Sequence, residues 1–414
     1  LEKLGRAVVT DLELPEAKAR RLGGSSEGRL LLSELQHRWD SRAIEHIRAL
    51  GAKAPIATTN FWGLENLWSV PALAFGDVVD VHSYGEEGAL STDPHSTSNW
   101  IHYIAAAQVA GKPLTVSEWS VPRPHADRFT APLWVAAIAS LQGWDALMGY
   151  CYGYTPLAMG PLTRTKWEQR VDPALLALGP TAALMYRRGD IAPAKNTIAL
   201  SPSLEQLWGA PLSPKTATAL RTAPERSRMV LVLPAHPALD WDHPGPAPIG
   251  SRTVEDLDLD LLPGDGESVT SDTGEIDRNW AAGLLRIDTP RMQAASGSLG
   301  GRTIRLSDLE LEIETPSATV SAIALDDKPL ARSSRILVTA VARTEFAHDG
   351  TVLSEPVHGS VRIRTTGRRV ITPGIRARSP QDRTASTDDI FESGWSRLSL
   401  ENTQGTHWFV ITPR

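Results

Sequence analysis

Cysteine is almost absent from this chain: one residue in 414, Cys151. A lone thiol excludes an internal disulfide framework and any cysteine-rich zinc site, and its plainest role is that of a small buried hydrophobe. Long hydrophobic runs are missing as well. The longest, around Ala131–Ala139, is too short to span a bilayer and is interrupted by Trp134, so no membrane partner is expected. Excess positive charge is also lacking. The 42 Lys and Arg are outnumbered by 48 Asp and Glu, for a net charge of −6, and they are dispersed. That pattern argues against a nucleic-acid surface and against a targeting or lipid-binding tract. The chain opens on leucine with no signal peptide, and its true start is expected upstream of Leu1. Phe and Tyr are scarce, six of each, but Trp numbers thirteen, a bias found where sugar rings are stacked as well as in ordinary cores.

What is present divides the chain in two. Over residues 29–190 short apolar runs alternate with helical patterns. The runs are "APIATTN" (Ala54–Asn60), "DVVDVHSYG" (Asp77–Gly85), "PLTVSEW" (Pro113–Trp119) and "ALMGYCYGY" (Ala146–Tyr154). Leu35, Trp39, Ala43, Ile47 and Leu50 recur at helical spacing before the first run, and Ser33 with Gln36 suits a capping box there. Asn99–Ala110, Ala131–Gly143 and Pro173–Arg187 read as further helices. Four strand–helix units in succession predict a parallel α/β fold. Polar residues gather at the strand ends: Asn60, His82, Tyr84, Glu118 and Tyr152. A (β/α)₈ barrel builds its active site from such ends, but it needs eight units and about 250 residues. Residues 1–28 read as loop, with one candidate short strand at Ala7–Leu12, and cannot hold four more strands.

From Ile191 onward, clusters of Pro, Gly, Ser and Asp separate short alternating runs such as Leu309/Leu311/Ile313 and Ile336/Val338. This texture predicts one or two antiparallel, sandwich-like β domains over 191–414. "EDLDLDL" (Glu255–Leu261) reads as a strand with one wet face, a plainer account than a calcium loop. The Asp-Thr-Gly in Ser271–Gly297 lacks the second such loop that an aspartic protease requires, since "IDTP" stands in its place.

The order "TTNFWG", "DVVDVHSYG", "PLTVSEW" and "LQGWDALMGYCYGY" resembles strands five to eight of a clan A retaining glycoside hydrolase barrel. The resemblance covers roughly residues 29–190 and implies a partial (β/α)₈ barrel followed by all-β domains. It implies that Glu118, in "VSEW", is the nucleophile and that His82 and Tyr84 form the His-x-Tyr pair beside it. Asn60, Trp62, His82, Tyr84, Trp119, Tyr152 and Tyr154 become candidates for contacting an oligosaccharide or polysaccharide, although strict alternation along "VSEW" turns Trp119 away from Glu118. Retaining hydrolysis uses two carboxyl groups about 5–5.5 Å apart, one attacking the anomeric carbon and one protonating the leaving oxygen. It needs no metal and no cofactor. In the clan the acid follows an asparagine on strand four, and no such Asn-Glu occurs here. The resemblance therefore places strands one to four before Leu1, or on a partner chain supplying the missing half-barrel, in an enzyme of the exported (secreted or periplasmic) kind. Glu34 and Glu45 are expected to face solvent on a helix; Glu65, Glu86 and Glu87 lie in loops on the active face. Two rival readings stand beside hydrolysis: a non-catalytic sugar-binding remnant, and an interaction protein docking a second chain.

Overall fold

A computed structural model describes residues 25–153, 166–237, 239, 241, 245–347, 352–374, 387–388, 390–401 and 406–414. Residues 1–24, with the candidate strand Ala7–Leu12, lie outside the described residues, as does Tyr154. Helix α1 (Ser26–Ala49) opens the described chain. Its N-cap is Ser25, whose hydroxyl accepts from the Gly28 N–H at 3.1 Å. The helix therefore starts a full two turns before the cap expected at Ser33. Ser33 lies inside the helix, buried, and donates to the Trp68 carbonyl.

Four short strands follow: β1 (Phe61–Trp62), β2 (Val79–Tyr84), β3 (Leu114–Ser120) and β4 (Ala146–Gly149). They lie in sequence order, all parallel. Helix α2 (Trp100–Ala106) precedes β3 and is closed by a capping box between Asn99 and His102. Helix α3 (Ala131–Gln142) precedes β4, is buried along its whole length, and ends at Gly143 in the left-handed conformation. Helix α4 (Pro173–Arg188) follows, its N-cap Asp172 accepting from the Ala174 N–H.

The partial barrel expected over 29–190 is not formed. The sheet is open, with strands of two, six, seven and four residues. A barrel wall needs staggered hydrogen bonding that closes on itself. Among the described residues β4 pairs only with β3, and β1 only with β2. The first run also falls short of a strand: Ala54–Asn60 holds one isolated bridge, Ala57 to Val78, and pairing starts at Phe61.

The next strands begin a separate parallel sheet. β5 (Thr197–Leu200), β6 (Arg228–Leu231) and β7 (Arg252–Val254) pair in the order β6-β5-β7, with helix α5 (Thr218–Arg226) between the first two. Mixed α/β structure thus runs past residue 190, into a region expected to be β domain. "EDLDLDL" is not a strand either. Asp256 and Asp260 accept the N–H groups two residues on, of Asp258 at 3.1 Å and Leu262 at 3.0 Å, and such local bonds compete with a ladder.

The remainder is antiparallel. A nine-stranded sheet has Met292–Ser298, Ser317–Ala324 and Ile336–Ala342 at its centre, and a five-stranded sheet carries Leu309–Ile313 and Gly359–Arg364. Val320, Val338 and Phe409 from the first share a core with Leu311, Val361 and Leu398 from the second. The opposite face of the large sheet, through Met292, Ala294 and Val341, joins the core of the parallel units. The Asp-Thr-Gly segment is a turn: Asp272 accepts the N–H groups of Lys195 and Asn196, each at 2.9 Å, and ties that turn to the chain entering β5.

Two buried ion pairs fix the antiparallel part against the parallel part. Arg128 pairs with Asp172 at 2.6 Å and donates to the Thr344 hydroxyl at 2.7 Å. Arg278 pairs with Glu225 at 2.6 Å, and Glu225 also accepts from His102 at 2.8 Å.

Candidate functional site

β2 alternates strictly. Val79, Val81 and Ser83 are buried beneath the sheet, and Asp80, His82 and Tyr84 share the half-open face. Beyond Tyr84, Gly85 is required by close approach: a Cβ there would lie 2.5 Å from Val121 Cγ2 and 2.7 Å from Trp100 Nε1.

β3 does not alternate. Its pairing with β2 slips by one residue between Val81 and His82, so that Val116 faces Val81 but Glu118 faces His82. The extra residue is Ser117, and the irregularity is a β-bulge of the kind that re-aims side chains. Ser117 and Glu118 are both half-exposed, while Trp119 turns into the core.

Glu118 meets two groups called from the sequence. The Tyr84 hydroxyl donates a short hydrogen bond to Glu118 Oε2. His82 Nδ1 stands 3.3 Å from the same oxygen, within ion-pairing range but off the line of a hydrogen bond. On its other side His82 Nε2 lies 2.9 Å from Ser117 Oγ. Ser117 Oγ donates to Asp80 Oδ2 at 2.5 Å, and Asp80 Oδ1 accepts from the Thr115 hydroxyl at 2.6 Å and the Ser117 N–H at 3.2 Å.

Aromatic rings wall this cluster. Trp62, 47% exposed, stands 5.5 Å from the His82 ring and 5.9 Å from the Tyr84 ring, centre to centre. Trp167 packs on Tyr84 at 4.5 Å, and Tyr150 lies edge-on to Tyr84 at 6.4 Å. An exposed indole beside a carboxylate and an imidazole offers one apolar face and several hydrogen-bonding groups, the combination that suits a sugar ring.

The other called residues scatter. Trp119 stacks on Trp100 at 6.0 Å within the core, 8% exposed, so it is a packing residue rather than a platform, turned away from Glu118 as alternation along "SEW" requires. Asn60 sits just before β1, its amide nitrogen buried without a hydrogen-bond partner. Tyr152 is 56% exposed, and its carbonyl accepts from the Arg170 N–H. Glu34 is buried rather than solvated, bound to Arg38 and to the Trp241 indole N–H, each at 2.6 Å. Glu65 lies in the turn after Trp62, where desolvation pushes its carboxyl up from the ordinary value. Glu87 lies 4.0 Å from His125.

A groove of about 790 Å³ opens beyond the end of β3, between the loop Arg123–Arg128 and the hairpin strands Thr344–Phe346 and Val352–Ser354. Arg123 lies over the Phe346 ring at 3.7 Å. The groove's lining does not include Glu118.

No protein-family model, no curated protein and no solved structure matches the chain.

Asp80, Ser117, Tyr150 and Trp167 join the site beyond the residues that the sequence motifs mark. Period-two alternation along "DVHSY" places Asp80 on the face of His82 and Tyr84, and that signal was available. Alternation along "LTVS" likewise places Ser117 on the face of Thr115, whereas the bulge that brings Glu118 onto that face has no local signal, because it exists only in the pairing of two strands.

Proposed function

We propose that the protein acts on a β-linked oligosaccharide or polysaccharide and cleaves it with retention, through a glycosyl-enzyme formed on Glu118. One observation carries the reading: the Tyr84 hydroxyl holds Glu118 at the mouth of an aromatic-walled, half-open face. An O–H donor on a carboxylate oxygen makes a charge-assisted bond that orients the group. The Trp62 indole would support the apolar face of a ring.

Hydrolysis also needs an acid about 5–5.5 Å from the nucleophile. Asp80, the other carboxylate joined to the cluster, is already engaged by Thr115 and Ser117. That engagement favours a second reading, in which the cleft binds a glycan without cleaving it. Release of aryl alcohol from a panel of aryl β-glycosides separates the two. Hydrolysis by the parent chain, lost in Glu118→Gln, supports the enzyme. Glycan binding by both chains with hydrolysis by neither supports the binding reading.

A further inference from the structure

We propose that Asp80, acting through Ser117, is a positioning residue that fixes the His82 proton on Nε2 and leaves Nδ1 as the ring nitrogen presented to Glu118. The catalytic meaning of this device rests on the reading of Glu118 as nucleophile; the device itself follows from donor and acceptor accounting.

Asp80 as a carboxylate only accepts. Ser117 Oγ has a single proton, and at 2.5 Å it gives it to Asp80 Oδ2. Toward His82 the same oxygen has only lone pairs, so the 2.9 Å contact requires the proton on His82 Nε2. Nδ1 is then the nitrogen presented to Glu118, at 3.3 Å, buried and without a hydrogen-bond partner. On the far side of the ring Asp80 Oδ2 lies 3.7 Å from Nε2, so the ring is held between two carboxylates with its proton on the Asp80 side. The charged and titratable groups facing His82 are Asp80 and Tyr84 on its own strand and Glu118 on β3; β1 presents the neutral Trp62.

The geometry predicts what Asp80→Asn does. Oδ1 already accepts from Thr115 and the Ser117 N–H, so the amide oxygen of the new side chain keeps that place. Its NH₂ then faces Ser117 Oγ and donates to it. Ser117 turns its own proton toward His82 Nε2, and the ring proton moves to Nδ1.

The test is ¹⁵N NMR of the full chain labelled at its 11 histidines, at alkaline pH where the ring is neutral, with His82 identified by its loss in His82→Gln. The parent should show His82 protonated at Nε2, and Asp80→Asn should show it at Nδ1. Ser117→Ala, which breaks the chain without touching the charge, should give a mixture of both forms that a second substitution, Asp80→Asn, no longer changes. An unmoved Nε2 proton in Asp80→Asn overturns the proposal; should that variant not fold, a pure Nε2 form in Ser117→Ala overturns it equally. The readout is independent of catalysis, so it separates failure of this device from failure of the glycosidase reading.

Discussion

Arg278→Met should cost about 3–5 kcal/mol of stability, the usual loss when one partner of a buried ion pair is removed. Arg278 and His102 are each 1% exposed and Glu225 4%, so water cannot take the place of a lost partner. Burial alone would raise the Glu225 carboxyl, but the Arg278 guanidinium and the His102 hydrogen bond outweigh it and hold the carboxyl down at about 2. His102 accepts the Asn99 N–H at Nδ1, so its proton is on Nε2, donated to Glu225; burial accordingly pushes the imidazole below its ordinary value. The neutral ring leaves Arg278 as the charge that balances Glu225. A carboxyl held down from 4.5 to about 2 corresponds to about 3 kcal/mol, in line with the mutational range.

The sign follows from linkage. The Glu225 contribution is complete above about pH 4.5 and disappears as pH falls toward about 2. His102 adds a loss as pH falls below its ordinary value of 6.5. The assay is urea denaturation followed by tryptophan fluorescence, on the parent and Arg278→Met at neutral pH and down to about pH 3. The parent should lose stability on acidification, and the variant should begin lower and lose less. A cost below about 1 kcal/mol in Arg278→Met, or an unchanged acid dependence, would refute the assignment of Arg278 as the balancing charge.

Three further outcomes are expected. Tyr84→Phe removes a hydrogen bond to a charged group, about 1.5–3 kcal/mol, so turnover of aryl β-glycosides should fall roughly 10- to 150-fold while the melting temperature changes little. Trp62→Ala should weaken oligosaccharide binding up to roughly 30-fold by calorimetry: a ring half exposed offers roughly 100 Å² to a ligand, about 2 kcal/mol, without contributing much to the core. Arg128→Met strips Asp172 and Thr344 of a fully buried partner, and besides costing about 3–5 kcal/mol it should speed amide exchange in Thr344–Phe346 and Val352–Ser354.

The elements around the site were legible where their signals are local. Asn99, Gly143 and Asp172 bound helices close to where periodicity puts them, and "DVVDVHSYG" and "PLTVSEW" are strands, each a short β-branched apolar run bounded by turn residues. The meeting of His82, Tyr84 and Glu118 was legible from motif order. The barrel was not supported, because strand closure depends on pairing between residues far apart in sequence, and Thr197–Leu200 pairs within its own sheet. Trp119 lies in the core because alternation between Glu118 and Trp119 holds, while the one bulged residue before them decides which of the two faces the cleft. Glu34 was expected in water because helix periodicity gives no sign of Trp241, which reaches it from 207 residues away.

The central claim is that Glu118 bonds covalently to a sugar. Mass spectrometry of the peptide digest after incubation with a panel of 2-deoxy-2-fluoro-β-glycosyl fluorides tests it most directly. The account predicts a single glycosyl adduct on the peptide Leu114–Pro122, at Glu118, absent in Glu118→Gln. An adduct on another residue, or undiminished aryl-glycoside hydrolysis by Glu118→Gln, would contradict it.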